Sequence, residues 1–399
     1  MSPEPDKAPP PLAGLRVLEL ARILAGPWAG QLLADLGADV VKVERPGSGD
    51  DTRAWGPPFV PAADGGDLSA AYFHATNRGK RSIAIDMDTA DGQALIRSLA
   101  RRADVVIENF KVGGLARYGL DHAALSALNP RLITCSITGF GQTGPYAQRA
   151  GYDFVVQAMG GLMHLTGEQD GEPQRAGVAT ADLFTGLYAT IAILAALRRR
   201  DETSQGAHLD LALLDVQASV LANQAMSYLI TGQSPGRIGN THPSIVPYQV
   251  FATCDGHIVV AAGNDGQFGR FVKLLGAPEL ARDPRFIDNA GRVANRAQLV
   301  PILTALTMSF SAADLLRRLE QAGVPGGPIN DLQAVFSDPQ ILARGMVNAV
   351  PAPSAAGGNI PGLRAPILID GQPMMAPRPA PALNADRAAI LDDPDWTSL

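Results

Sequence analysis

Short apolar runs alternate with helical stretches over the first half of this chain, and that alternation leaves few folds open. Arg16–Leu20, Asp39–Glu44, Ser82–Asp86, Asp104–Glu108, Arg131–Ile137 and Ala207–Leu213 read as strands. Helical patterns stand between most of them, including Asp91–Arg102, Ala123–Leu128 and a long apolar helix that ends in Arg198, Arg199 and Arg200. Strands separated by helices pair through crossovers, which gives a parallel sheet covered on both faces. The expected class is therefore α/β, with a Rossmann-like parallel sheet in the larger part. The first strand–helix–strand unit invites a dinucleotide site. However, its turn is AGPWAG and not G-x-G-x-x-G, and Pro27 removes a backbone N–H where a pyrophosphate would sit.

The pattern changes after TGQSPGRIGNTHPS, a glycine-, proline- and serine-rich break that marks a domain boundary. Beyond it, Ile245–Thr253 and His257–Ala262 read as a hairpin around CDG, followed by helices, so a smaller α+β region is expected. A length of 399 residues fits two domains, and a net charge of -6 argues against nucleic acid or an anionic membrane as partner. Cys135 and Cys254 sit in apolar runs and form no CxxC. They are expected as buried structural thiols in a reducing compartment, the cytoplasm. MSPEPDKAPPP has no apolar h-region and is expected to be a loose tail. Leu183–Leu197 is shorter than the ~18 residues of a membrane span and is expected to be a buried helix.

Candidate chemistry centres on Gly151–Arg200. Asp182 is the only acid at the start of the long helix. With Thr180 as N-cap it would lie in the first turn, where the helix dipole favours an ionised carboxylate that can serve as a nucleophile. The alternative is that Asp182 only helps to cap the helix. Arg45 follows a strand at the mouth of a long loop, where ligands of parallel sheets gather. Arg78, Lys80 and Arg81 form a basic cluster suited to phosphates or simply to solvent. The six histidines are scattered without H-x-x-x-H or H-E-x-x-H, and neither a G-x-S-x-G elbow nor a Walker loop is present. No metal site is expected.

Taken together, PLAGLRVLEL, LLADLGADVVKVERPGSGD, NRGKRSIAID, ADVVIENF, LNPRLITCSITGFGQTGPY and the block from Gly151 to Arg200 resemble the family III CoA-transferases. This is the superfamily of formyl-CoA and carnitine CoA-transferases. GNTHPSIVPYQVF and AGNDGQFGRF look like the branch that includes succinate-hydroxymethylglutarate CoA-transferase.

The resemblance implies that Asp182 is the nucleophile. It implies CoA contacts at Arg45, at Ile85–Asp88, at Asn109, Phe110 and Lys111, at Arg117, and at Ala150, Gly151, Tyr152 and Asp153. Asp88 replaces a lysine used by some members. It further implies an acyl-CoA donor, succinyl-CoA in this branch, and a carboxylic acid of the dicarboxylate class as small-molecule partners, and an interlocked homodimer. The domains would run 12–225 for the large domain, 240–325 for the small one and 330–399 for the return, after a tail at 1–11. Arg22 and Arg237 are candidate cations for a distal carboxylate. The superfamily also holds α-methylacyl-CoA racemases, which use a histidine in G-H-D. Here the tripeptide is Gly151-Tyr152-Asp153, and a tyrosine with a pKa near ~10 is a poor base at neutral pH, which favours transfer.

Overall fold

A computed structural model describes residues 9–397. The expected tail falls largely outside the described residues. In its last part the Pro10 carbonyl accepts a hydrogen bond from the Ala13 amide, next to Leu12, whose amide donates to the Leu36 carbonyl. The chain forms two compact units. Among the described residues the first comprises 9–162, 175–230 and 339–397, and the second 163–174 and 231–338.

The first unit is built on six parallel strands: β1 (Arg16–Glu19), β2 (Asp39–Glu44), β3 (Arg81–Ala84), β4 (Val105–Glu108), β5 (Ile133–Thr138) and β6 (Ala207–Ala212). Their order is β3-β2-β1-β4-β5-β6, so the chain reverses its winding between β1 and β4. Consecutive residues point to opposite faces, and both faces are apolar because both are covered. Val17, Val40, Val105 and Cys135 pack on one side with Ala29 and Leu33 of helix α1 (Ala25–Asp35). Leu18, Val41, Ile83 and Val106 pack on the other with Ile96 and Leu99 of the Ala90–Arg102 helix and with Trp396. The C-terminal segment also protects the edge strand β3. Asn384 and Asp386 accept hydrogen bonds from the Ala84 and Ser82 amides, both at 2.8 Å, as edge strands require.

Three further helices matter for the site: α2 (Ala71–Thr76), α3 (Asp153–Met159) and α4 (Thr180–Thr203). The long helix α4 buries Ala181, Thr185, Gly186, Ala189, Ile193, Ala196 and Leu197, a stripe at three- and four-residue spacing that lies against the sheet and α1. Gly186 permits that approach, since a Cβ there would lie 2.7 Å from the Ala25 carbonyl oxygen. The expectation of a fully buried helix is only partly met. Phe184, Leu187, Tyr188 and Ile191 on the opposite face are 40–60% exposed. With 24 residues the helix is long and apolar enough to cross a membrane by length and composition alone, although its buried stripe is part of this unit's core. The stretch read as one helix at Asp215–Ile230 is two, Leu213–Ser219 and Ala222–Thr231, separated where Ala222 adopts φ 47°.

The second unit carries an antiparallel three-stranded sheet ordered Gly326–Pro328, Gly256–Ala261, Tyr248–Thr253, with the expected hairpin between the last two. Helices pack on it through Phe251, Ile258, Phe268, Phe271, Leu303 and Leu319. Cys135 is buried as expected, but Cys254 is exposed. It sits at the hairpin turn, where the apolar neighbours in sequence belong to the strands on either side.

Candidate active site

In an open α/β sheet, ligands collect beyond the carboxyl ends of the strands where the winding reverses. The loops after β1 and β4 meet there. The Asn109 side chain grips the backbone of Arg22 at both ends: its amide nitrogen donates to the Arg22 carbonyl (2.7 Å) and its oxygen accepts the Arg22 N–H (3.1 Å). The next residue, Ile23, has φ 75°, a conformation costly for a β-branched side chain. Its N–H donates to both Asp50 carboxylate oxygens, at 3.3 and 3.2 Å.

Behind this turn runs a buried ion chain. Lys42 pairs with Asp50 and Glu19, both at 2.9 Å, and Lys80 pairs with Glu19 at 2.7 Å. Burial opposes the charge on Lys42, but Glu19, Asp50 and Glu44 outweigh it and push the ammonium up. Burial likewise opposes ionisation of Asp50, yet Lys42 and the Thr52 donors hold that carboxyl below its usual range. At Lys80 burial wins and lowers the ammonium to about 8. The strained turn is thus held at the cleft by side chains that are themselves fixed in the core.

A cavity of about 440 Å³ opens at this point, lined by Arg22, Ile23, Leu24 and Ala25 after β1 and by Asn109, Phe110 and Lys111 after β4. Arg117, Arg149, Ala150, Gly151, Tyr152 and Asp182 also line it. Gly139 and Gly151 cross backbone to backbone in its wall, where a Cβ on Gly139 would come within 2.5 Å of the Gly151 Cα. A second cavity of about 480 Å³ shares Arg22, Phe110 and Arg117 with the first and is lined by Lys42, Arg45, Ile85, Asp86 and Asp88. Both lie in the size range of small-molecule sites. The fold therefore gathers Arg45, Ile85, Asp88, Asn109, Phe110, Lys111, Arg117, Ala150, Gly151, Tyr152 and Asp182 around two adjoining cavities. Asp88 accepts a hydrogen bond from the Tyr118 hydroxyl at 2.7 Å.

Asp182 is half-buried in the first turn of α4. Its carboxylate has no hydrogen bond and no ion pair among the described residues. Burial and the neighbouring Asp153 raise it from its ordinary 3.8 to about 7. Burial and Asp153 thus act against the ionisation that the position in the first turn favours. Thr180 is not the cap. Ala179 occupies the N-cap position with no side-chain bond, and the Thr180 hydroxyl is unpartnered. Asp153 is absent from the cavity lining, and its carboxylate turns instead to the start of α4. Tyr72 on α2, which sequence reasoning missed, feels both charges: burial, Asp182 and Asp153 push its phenol up.

Other candidates fall elsewhere. The basic cluster is buried and paired, so it cannot meet a phosphate. Arg78 forms two bonds to Asp35 at 2.5 and 2.7 Å, Lys80 is held by Glu19, and Arg81 pairs with Asp39 and Asp393. Arg237 donates to the backbone carbonyls of His164, Glu168 and Gly171 within the second unit, which commits its guanidinium. The histidines are not all scattered: His122 and His208 stack at 4.7 Å on the flank of the sheet, outside the cavity lining. No group of three metal-ligating side chains occurs among the described residues.

Comparisons with known proteins show the family and the fold. The family model for CoA-transferase family III matches residues 12–387. Succinate–glutarate CoA-transferase of Agrobacterium fabrum is 56% identical over 382 residues, 96% of this chain and 95% of the relative. Human succinyl-CoA:glutarate CoA-transferase is 44% identical over 383 residues, 96% of this chain and 86% of the relative. A crystal structure of a CAIB/BAIF family protein from Brucella suis superposes with a TM-score of 0.85 at 57% identity, covering 96% of this chain and 99% of that one.

Proposed function

The chain belongs to CoA-transferase family III and is a CoA-transferase, and from that premise we propose that it carries CoA from succinyl-CoA to a dicarboxylate of glutarate type through a covalent intermediate on Asp182. One observation carries the residue assignment: a half-buried carboxylate without a partner faces the cavity at the sheet's winding reversal. The substrate assignment rests on the relatives named for succinate or succinyl-CoA and glutarate.

An Asp182 carboxylate oxygen attacks the thioester carbonyl. The C–S bond breaks, and an aspartyl–acyl anhydride and CoA thiolate form. The thiolate attacks the aspartyl carbonyl, which releases the donor acid and leaves an aspartyl-CoA thioester. The acceptor carboxylate attacks that thioester, a new anhydride forms, and the thiolate takes the acceptor acyl group and frees Asp182. One thioester replaces another, no net proton moves, and no nucleotide is consumed. The N-terminal end of α1, at Leu24 and Ala25, lines the same cavity, and its dipole favours the oxyanions of each addition. The pantetheine arm would lie in the cavity that holds Asp182, and the nucleotide in the second cavity, near Arg45, Ile85 and Arg117. Lys111 and Arg149, with Arg22 whose guanidinium is paired with Asp51, are cations along this cavity that could meet a distal carboxylate.

The protein acts as a homodimer in this proposal, in the interlocked form of the family. Large apolar side chains are exposed on α3 (Phe154, Val155, Met159), on α4 (Phe184, Leu187, Ile191) and at Met226, Leu229 and Ile230. Surfaces of this kind are ordinarily covered by another chain.

Asp182→Ala, assayed with succinyl-CoA and a panel of acids, should lose transfer by at least ~10³-fold. Hydroxylamine or borohydride should trap a labelled Asp182 in the unaltered protein only. Near-normal transfer by the variant would sink the mechanism. Exchange of an α-proton with deuterated water in the absence of an acceptor acid would instead point to the racemase alternative.

A further inference from the structure

Asp153 opens α3 and is 9% exposed; Gln157, one turn later on the same face, is fully buried. Their side chains reach the segment that leads into the nucleophile helix at four places. Asp153 Oδ1 accepts the Ala181 N–H at 2.8 Å and the Asp182 N–H at 3.3 Å. Gln157 Oε1 accepts the Ala176 N–H at 3.0 Å, and its Nε2 donates to the Val178 carbonyl at 3.4 Å. A bond of 2.7 Å from Gln157 Nε2 to Asp153 Oδ2 joins the two side chains. The helix supplies no side-chain cap of its own, so the first amides of α4 find their acceptor on α3.

We propose that Asp153 and Gln157 form a clamp that positions the nucleophile. It holds the first turn of α4 by its backbone, so that the Asp182 carboxylate stays fixed in the cavity while neither clamp residue touches the transferred groups. The proposal rests on Asp182 being the nucleophile. It replaces the CoA contact that the family resemblance implied for Asp153, whose two oxygens are both engaged. The clamp has a second effect. The Asp153 charge lies beside the reacting carboxylate and helps keep it basic, and a more basic carboxylate is the stronger nucleophile. The other ionisable groups around Asp182 are Tyr72 on α2, together with Arg22, Lys111, Arg117, Arg149 and Tyr152 along the cavity.

Gln157→Met keeps length and charge but removes all three bonds made by the side-chain amide. Its kcat should fall at least ~10-fold with KM for acyl-CoA within about threefold, because misplacing a reacting group by about 1 Å costs on the order of 10²-fold. Hydrogen exchange across residues 176–183 should quicken at least ~10-fold. Asp153→Asn should move the acid limb of kcat/KM to lower pH, whereas Gln157→Met should leave it in place. Unchanged kcat and exchange in Gln157→Met would overturn the clamp. So would a rise in KM with kcat intact, which would mark a ligand contact. Should Asp153→Ala fail to fold, the Gln157→Met measurements still decide. Failure of the clamp is distinct from failure of the nucleophile assignment: the first leaves Asp182→Ala inactive, and the second leaves it active.

Discussion

Replacing Asp182 by Asn should make the protein more stable at alkaline pH while removing its activity. Asp182 is raised from 3.8 to about 7 by burial and by Asp153. The folded protein therefore holds this proton more tightly than the unfolded chain does. Between about pH 4 and pH 7 the unfolded state binds fewer protons, so stability falls as pH rises through that window and stays reduced above it. One pKa unit corresponds to about 1.4 kcal/mol, so a displacement of about three units sets a ceiling near ~4 kcal/mol at pH 8. The carboxylate faces an open cavity where water screens it, and about 1–3 kcal/mol should be realised. Asn has the same shape and never carries the charge. Urea denaturation of ligand-free protein should give Asp182→Asn the higher midpoint at pH 8, with the gap closing toward pH 4 and an unchanged m value. Equal midpoints at pH 8, or a gap that widens as pH falls, would refute the reasoning.

Two further outcomes follow from the same geometry. The wild-type kcat/KM should decline about tenfold per pH unit below about 7, where Asp182 takes up its proton, and a profile that is flat to about pH 5.5 would show that burial and Asp153 do not raise this carboxyl. Light scattering at micromolar concentration should give twice the 41.7 kDa chain mass, and a monomer would leave the exposed apolar face of α4 without its proposed cover.

The parallel sheet was legible because its strands alternate with helices in sequence; the local pattern at Asp182 fits a helix-end acid as well as a nucleophile, and only the family resemblance singled it out. What failed depended on partners distant in the chain. Arg78, Lys80 and Arg81 look like a solvent-facing cluster until Asp35, Glu19 and Asp39 arrive from α1, β1 and β2 to bury them. Thr180 has the right chemistry for a cap, but Asp153, 28 residues before Ala181, takes the amide instead. Nothing local tells whether a carboxylate will face a ligand or a helix end. The exposed face of α4 was hidden for a related reason: its composition is apolar all round, so periodicity could not separate the buried stripe from the other side. The strand order was equally out of reach, since pairing between β1 and β4 joins segments some ninety residues apart.

The crossing of Gly139 and Gly151 bears on how this enzyme could be adapted to other acids. At that crossing main chain meets main chain, so neither glycine has a side chain that could swing aside or be trimmed to make space. A methyl added to either residue would act as a wedge and force the two loops apart. Selectivity for chain length must then be tuned from the side-chain-lined walls, at Ile23, Val112 or Leu213, while this seam keeps its gauge.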